Sequence, residues 1–127
     1  MPIPGTLLGM EITQPKLLFI IDDNEDTLDV AVQTLSLEGR SSKSFRNYKS
    51  ALLALHADEP SALIVDYRVS DADFTIETFI LSVRALYPNM RIVICSGDPK
   101  AENFKVVGAN ALVQKPYNSD TLLKAID

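Results

Sequence analysis

Five side chains with charged or polar ends sit where apolar runs stop. Leu17 to Ile21 ends on Asp22-Asp23, and Ala62 to Val65 ends on Asp66. Val93-Ile94-Cys95 ends on Ser96-Gly97, and Ala111 to Gln114 ends on Lys115-Pro116. Short continuous apolar runs read as strands buried on both faces of a sheet. In a parallel sheet such strand ends lie side by side, so three carboxylates, a hydroxyl and an amine converge in one pocket. Crowded carboxylates hold their protons too tightly unless a cation is present. Oxygen donors alone suit an octahedral Mg²⁺ that keeps some of its waters. Asp23 and Asp66 can bind it directly and Asp22 through water. Asp66 can then attack phosphorus as a carboxylate nucleophile. The metal, Lys115 and the Ser96 hydroxyl would balance the charge on the phosphoryl oxygens. Gly97 leaves room for those oxygens, and its N–H can donate to one.

The elements between these ends alternate. Lys16 to Ile21 is read as the first strand, followed by a helix over Glu25 to Leu37 with Leu28, Ala31, Val32 and Leu35 on one face and Gly39 as its stop. Arg40 to Phe45 is a polar edge strand. Asn47 caps a helix that buries Tyr48, Ala51, Leu52 and Leu55. Pro60 precedes the strand Ala62 to Val65. Ile76, Phe79, Ile80, Val83, Leu86 and Tyr87 form the stripe of a third helix ended by Pro88. Arg91 to Cys95 is the fourth strand. Asp98-Pro99 opens a short helix to about Val107, which Gly108 stops. Ala111 to Gln114 is the fifth strand, and Ser119 caps a last helix through Ile126. Five β-α units imply an α/β fold, a doubly wound parallel sheet with helices on both faces. Ligands of such sheets bind beyond the carboxyl ends of the strands.

The bulk numbers set limits. A chain of 127 residues suffices for one domain. Residues 1–15, with three prolines and two glycines, read as an irregular leader, and 16–127 as the domain. A net charge of −5 argues against direct nucleic-acid binding, which needs clustered Lys and Arg. One cysteine excludes an internal disulfide and fits a cytoplasmic setting. Cys95 itself reads as a small core residue, and His56 as a solvent-facing residue at a helix C-terminus. No run approaches the roughly 20 apolar residues of a membrane span, and no signal peptide is expected.

The order Asp-Asp, Asp, Ser-Gly, Lys-Pro on five β-α units resembles the response regulator receiver domain of two-component signalling. The resemblance runs from about Lys16 to Ile126. It implies a flavodoxin-like (βα)5 sheet of strand order 2-1-3-4-5. It further implies that Asp66 accepts the phosphoryl group and that Asp22 and Asp23 hold Mg²⁺, with the backbone carbonyl of Arg68 as a third protein ligand. Ser96 matches the switch hydroxyl and Lys115 the phosphate-binding lysine, aimed inward by a cis bond before Pro116. The implied donor is a histidine kinase, a histidine phosphotransfer protein or a small acyl phosphate. A downstream protein target would read the altered surface, built from the fourth helix, fifth strand and fifth helix. A homodimer is allowed. Any catalysis is limited to the chain's own phosphorylation and dephosphorylation.

Several positions depart from that pattern. Three residues before the lysine, where many members carry Tyr or Phe, stands Leu112. Ser70 and Phe74 replace the Pro and Gly common four and eight residues after the acceptor. Arg68 and Asp98 flank the pocket with opposite charges and are expected to tune phosphate lifetime. An EF-hand is excluded because Thr27 and Gln33 occupy its glycine and glutamate positions. A haloacid-type phosphohydrolase needs Asp-x-Asp where this chain has Asp22-x-Asn24. The remaining rivals are a receiver-like interaction module that works without phosphate and a small phosphatase.

Overall fold

Strands and helices alternate over residues 17–96, and a strand and a helix follow over 111–126. A computed structural model describes residues 17–69, 71, 74–97 and 108–127. The elements are β1 (Leu17–Ile21), α1 (Glu25–Leu37), β2 (Ser41–Phe45), α2 (Tyr48–Leu55), β3 (Ala62–Asp66), α3 (Ile76–Leu86), β4 (Arg91–Ser96), β5 (Ala111–Gln114) and α4 (Ser119–Ile126). The leader over 1–15 and the helix expected from Pro99 to Val107 lie outside the described residues.

All strand pairs are parallel and the order is β2-β1-β3-β4-β5. The period of two sorts each strand between two cores. Phe19, Ile21, Leu63, Val65, Ile92 and Ile94 face α2 and α3. Leu18, Ile20, Ala62, Ile64, Val93 and Val113 face α1 and α4. The three central strands, β1, β3 and β4, are therefore apolar on both faces. β2, at the edge, exposes Ser41, Lys43 and Ser44, which blunts pairing with another chain.

The helices begin and end for local reasons. Asn24 caps α1 by accepting from the Thr27 N–H at 2.9 Å, and Glu25 and Asp26 complement its dipole. Asn47 caps α2 through the Ser50 N–H at 2.8 Å. Thr75 and Thr78 form a reciprocal capping box on α3. The last cap is Asn118, not Ser119: its side chain takes both the N–H and the hydroxyl of Thr121 at 2.9 Å, and Ser119 is the first helical residue. Gly39 leaves α1 at φ 76°, as a chain reversal after a helix requires. The α3 stripe is shorter than its periodicity suggests. Ile76, Phe79, Ile80 and Val83 are buried, Leu86 is exposed, and Tyr87 closes the helix while donating its hydroxyl to the Leu55 carbonyl at 2.6 Å. His56 is exposed at the α2 C-cap.

Opposite the functional end of the sheet, Arg84 ties α3 to the starts of β4 and β5. Its guanidinium donates to the carbonyls of Pro88, Met90 and Gly108 and to the Asn110 side chain. Asn110 in turn accepts from the Ile92 N–H at 2.8 Å. Gly108 is held at φ 97°, and a Cβ there would lie 3.2 Å from the Ile80 side chain.

Two outcomes follow from this packing. Arg84→Ala strands several half-buried carbonyls, so it should cost about 2 kcal/mol. Thermal unfolding should register this as a fall of roughly 7 °C in Tm. Cys95 is 2% exposed and burial pushes its thiol up to about 12. A thiol reagent at pH 8 should modify the native protein no faster than the protein unfolds; rapid stoichiometric labelling would contradict the packing.

Candidate functional site

The carboxyl ends of β1, β3, β4 and β5 meet in one pocket. Asp22 follows β1, and its N–H donates to the Phe45 carbonyl at 3.0 Å, so the backbone ladder still holds it. Its carboxylate is spoken for: Oδ1 accepts from the Asn24 N–H at 3.0 Å and Oδ2 from Lys115 Nζ at 3.1 Å. Asp66 is the last residue of β3. Its Oδ1 accepts from Lys115 Nζ at 2.8 Å. Oxygens of Asp22, Asp23 and Asp66 all lie within 4.8 Å of one another.

The fourth and fifth strands complete the pocket. Asp66 pairs with Cys95 in register, and the Tyr67 N–H donates to the Cys95 carbonyl at 3.0 Å. Ser96 is thus one residue beyond the partner of Asp66 and is buried. The Lys115 N–H donates to the Ser96 carbonyl at 3.0 Å, and the Lys115–Pro116 bond is cis, as expected. A Cβ at Gly97 would meet, among the described residues, only the Lys115 carbonyl at 3.9 Å. That is ordinary contact, so the local backbone does not itself demand glycine.

Burial raises the Asp66 carboxyl above the ordinary 3.8; the Lys115 hydrogen bond opposes the rise, the Asp22 charge adds to it, and the net shift is upward. For Lys115, burial disfavours the ammonium, but its bonds to Asp66 and Asp22 outweigh burial and raise the pKa. With the lysine charged and the three carboxylates ionised, the pocket sums to −2. A divalent cation neutralises that sum, and an all-oxygen donor set suits a hard ion such as Mg²⁺.

Most expected site residues are therefore together: Asp22, Asp23, Asp66, Ser96, Gly97 and Lys115 all sit at these strand ends. Arg68 is exposed in the loop after Asp66. Leu112 is half-buried and packs on the α2/α3 side of the sheet. Asp98 and Ser70 lie outside the described residues. The sequence reading missed two neighbours. Tyr48, read only as core, brings its hydroxyl to 3.4 Å from the Asp66 carbonyl, and burial together with the Asp66 charge raises its phenol. Asp71 accepts from the Tyr48 and Lys49 N–H groups at 2.9 and 3.3 Å, tying the loop after β3 to the start of α2. A buried tyrosine needs a partner for its hydroxyl, but that rule does not say which. An open groove also runs from Lys115 and Tyr117 along Asp26, Thr27 and Val30 of α1.

Comparison with known proteins agrees with this geometry. Residues 18–127 match the response regulator receiver domain family. A putative NtrX-like response regulator of Rickettsia bellii is 29% identical over 109 residues, 84% of this chain and 23% of the relative. The C4-dicarboxylate transport transcriptional regulatory protein DctD of Rhizobium meliloti is 30% identical over 111 residues, 85% of this chain and 24% of the relative. The chain thus spans about a quarter of the length of these relatives. Among solved structures, the chemotaxis protein CheY4 of Vibrio cholerae aligns with a TM-score of 0.79 at 24% identity, over 89% of this chain and 97% of that one. The receiver domain of NtrX from Brucella abortus aligns at 0.77 and 22%, over 86% and 97%. Those two share the fold. The family match extends over nearly all of the described sheet and every strand-end residue of the pocket, and the chain belongs to the response regulator receiver domain family.

Proposed function

We propose that this receiver domain accepts a phosphoryl group on Asp66 from the phosphohistidine of a histidine kinase or histidine phosphotransfer protein, or from a small acyl phosphate. The observation that carries this reading is the Lys115 amine bonded to both Asp22 and Asp66. In that arrangement the lysine favours the charged form of the half-buried Asp66 carboxylate, and attack would come from an oxygen of that group. The Asp66 oxygen forms a bond to phosphorus as the bond from phosphorus to the donor nitrogen or oxygen breaks, and the leaving group takes that electron pair. Asp22, Asp23, Asp66 and the Arg68 carbonyl would hold Mg²⁺, which supplies charge stabilisation at the phosphoryl oxygens. Lys115, the Ser96 hydroxyl and the Gly97 N–H bind those same oxygens.

Phosphorylation then alters the surface offered to a downstream protein target in the cytoplasm. Leu112 has neither ring nor hydroxyl to swing, so any response at β5 is repacking of an aliphatic side chain. Arg68 and Asp98 would pair at the pocket mouth and slow attack by water on the aspartyl phosphate. A binding module that never carries phosphate is disfavoured, because it gains nothing from a self-repelling acidic cluster held together by one lysine.

Intact-mass measurement after incubation with acetyl phosphate and Mg²⁺ should show one added phosphoryl group. Asp66→Asn or EDTA should abolish it, and Lys115→Ala should slow it by about 100-fold. No mass gain in the parent protein would sink the proposal. A second outcome concerns stability. Because folding raises the Asp66 pKa, stability falls as pH rises from 3.8 through the shifted value, and the full penalty is present above it. Asp66→Asn should therefore melt above the parent in EDTA at pH 7.5, by a few degrees. The gap should narrow as pH is lowered toward 4, and close when millimolar Mg²⁺ stabilises the parent.

A further inference from the structure

The start of α2 borrows its negative charge. α1 carries Glu25 and Asp26 in its first turn, α3 carries Glu77 and α4 carries Asp120, whereas α2 has no acidic residue there. Its cap, Asn47, accepts from the Ser50 N–H, the third of the helix. The first two N–H groups, those of Tyr48 and Lys49, donate instead to Asp71 Oδ2 at 2.9 and 3.3 Å. The anion that complements this helix dipole therefore comes from the loop after β3. That loop leaves the sheet at Asp66.

The contact joins two elements across a third. β2 and β3 flank β1, and the three run parallel. Tyr48 comes soon after the carboxyl end of β2, and Asp71 soon after that of β3. The Asp71 bonds thus close a bridge past the end of β1, where Asp22 and Asp23 stand. At the head of the bridge, the Tyr48 hydroxyl meets the Asp66 carbonyl at 3.4 Å. One residue of α2 therefore touches both Asp66 and Asp71. Its ring is fixed, 1% exposed and stacked on Phe79. The Asp71 end is held more lightly. Asp71 is half-buried and Lys49 is exposed, so water can replace the carboxylate on N–H groups that any helix leaves over at its start. A side chain capping such donors favours the bonded form on the order of tenfold. Such a contact is closed at rest and open to displacement by a modest change nearby.

We infer that Asp71 is a latch between the loop after Asp66 and the first turn of α2, and that phosphorylation of Asp66 opens it. An acyl phosphate adds bulk and negative charge at the head of a bridge whose tail is itself an anion. This rests on the reading of Asp66 as the phosphoryl acceptor. Asp71 lies outside the Asp22, Asp23 and Asp66 cluster and touches no reacting atom. It is a positioning residue, and its effect is to make the first turn of α2 sensitive to the state of the pocket.

Amide resonances and hydrogen exchange of Tyr48 and Lys49 test the latch in the full chain with Mg²⁺, before and after acetyl phosphate. Phosphorylation should move both amides and speed their exchange by up to about tenfold, the whole preference of a capping bond. In Asp71→Ala both should exchange at the faster rate from the outset and ignore phosphorylation, while intact mass still shows one added phosphoryl group. A merely structural Asp71 would lower Tm when replaced, yet the parent amides would not respond to phosphorylation, and that result overturns the inference. Slower exchange after phosphorylation, or a Lys49 response that survives Asp71→Ala, overturns it equally. A parent that gains no phosphoryl group overturns the reading of the site and the latch with it. A parent that gains one while Tyr48 and Lys49 stay unmoved overturns the latch alone. Should Asp71→Ala not fold, the side-chain carboxyl carbon of Asp71 in the parent decides. It should shift together with the Lys49 amide on phosphorylation, and a Lys49 shift without it would refute the latch.

Discussion

Among the described residues, one ammonium joins two of the three carboxylates of the acidic pocket. Lys115 Nζ lies 2.8 Å from Asp66 and 3.1 Å from Asp22, and no other cation is bonded to those carboxylates among the described residues. Removing one partner of a buried ion pair leaves an uncompensated charge, which costs several times what an exposed pair contributes. The Lys115 amine, one residue beyond β5, therefore offsets part of the charge of Asp22 and Asp66. Three carboxylates against one amine leave an excess of acidic groups, and an all-oxygen donor set of that kind suits a hard divalent cation.

The sheet order is what lets the amine arrive. Asp22 leaves β1, Asp66 ends β3, Ser96 ends β4 and Lys115 follows β5, and these four strands are successive neighbours. Adjacent strands are about 4.8 Å apart, so β5 stands roughly 10 Å from β3. A long side chain is needed to cross β4, and a small residue on β4 must leave the path clear. Lysine supplies the reach, and Ser96-Gly97 supplies the low strand end beneath it. Parallel pairing brings all four ends to one side. The same requirement explains why the strands are apolar on both faces: helices must cover both sides of a sheet whose connections are right-handed crossovers.

Much of this was legible in the residues. Leu17 to Ile21, Ala62 to Val65 and Ile92 to Cys95 are too short and too uniformly apolar for anything but buried strands, and each stops at a charged or polar residue. Strand ends in a parallel sheet have few places to go, so the convergence of Asp22, Asp23, Asp66, Ser96 and Lys115 could be read before any coordinate. Three kinds of feature could not. Asn118 and Ser119 are both good capping residues, and only the geometry with Thr121 decides between them. Arg84 looks like a polar-face residue of α3, because its acceptors at Met90, Gly108 and Asn110 come together only through tertiary structure. Tyr48 fits the apolar stripe of α2 perfectly well as a core residue, and periodicity carries no information about where its hydroxyl ends up. The strand order itself came from family resemblance, since alternation alone fixes parallel pairing but not which strands are neighbours.

Leu112 bears on how a chemical event at Asp66 could be felt elsewhere. A switch requires two conformers whose relative energies the modification changes. Leu112 packs with the α2/α3 core, where an aliphatic side chain has no hydrogen bond to gain or lose. Besides its bond to Lys115 after β5, Asp66 has polar connections that run the other way along the sheet. The Asp66 carbonyl meets the Tyr48 hydroxyl, and Asp71 of the same loop caps the first N–H groups of α2. Replacing a carboxylate by an acyl phosphate at Asp66 adds charge and bulk at one end of this chain of contacts. It also withdraws Lys115 from its present bond. Among the described residues, the loop after β3, the first turn of α2 and Lys115 after β5 have hydrogen bonds to exchange, and these give a conformational response a physical basis.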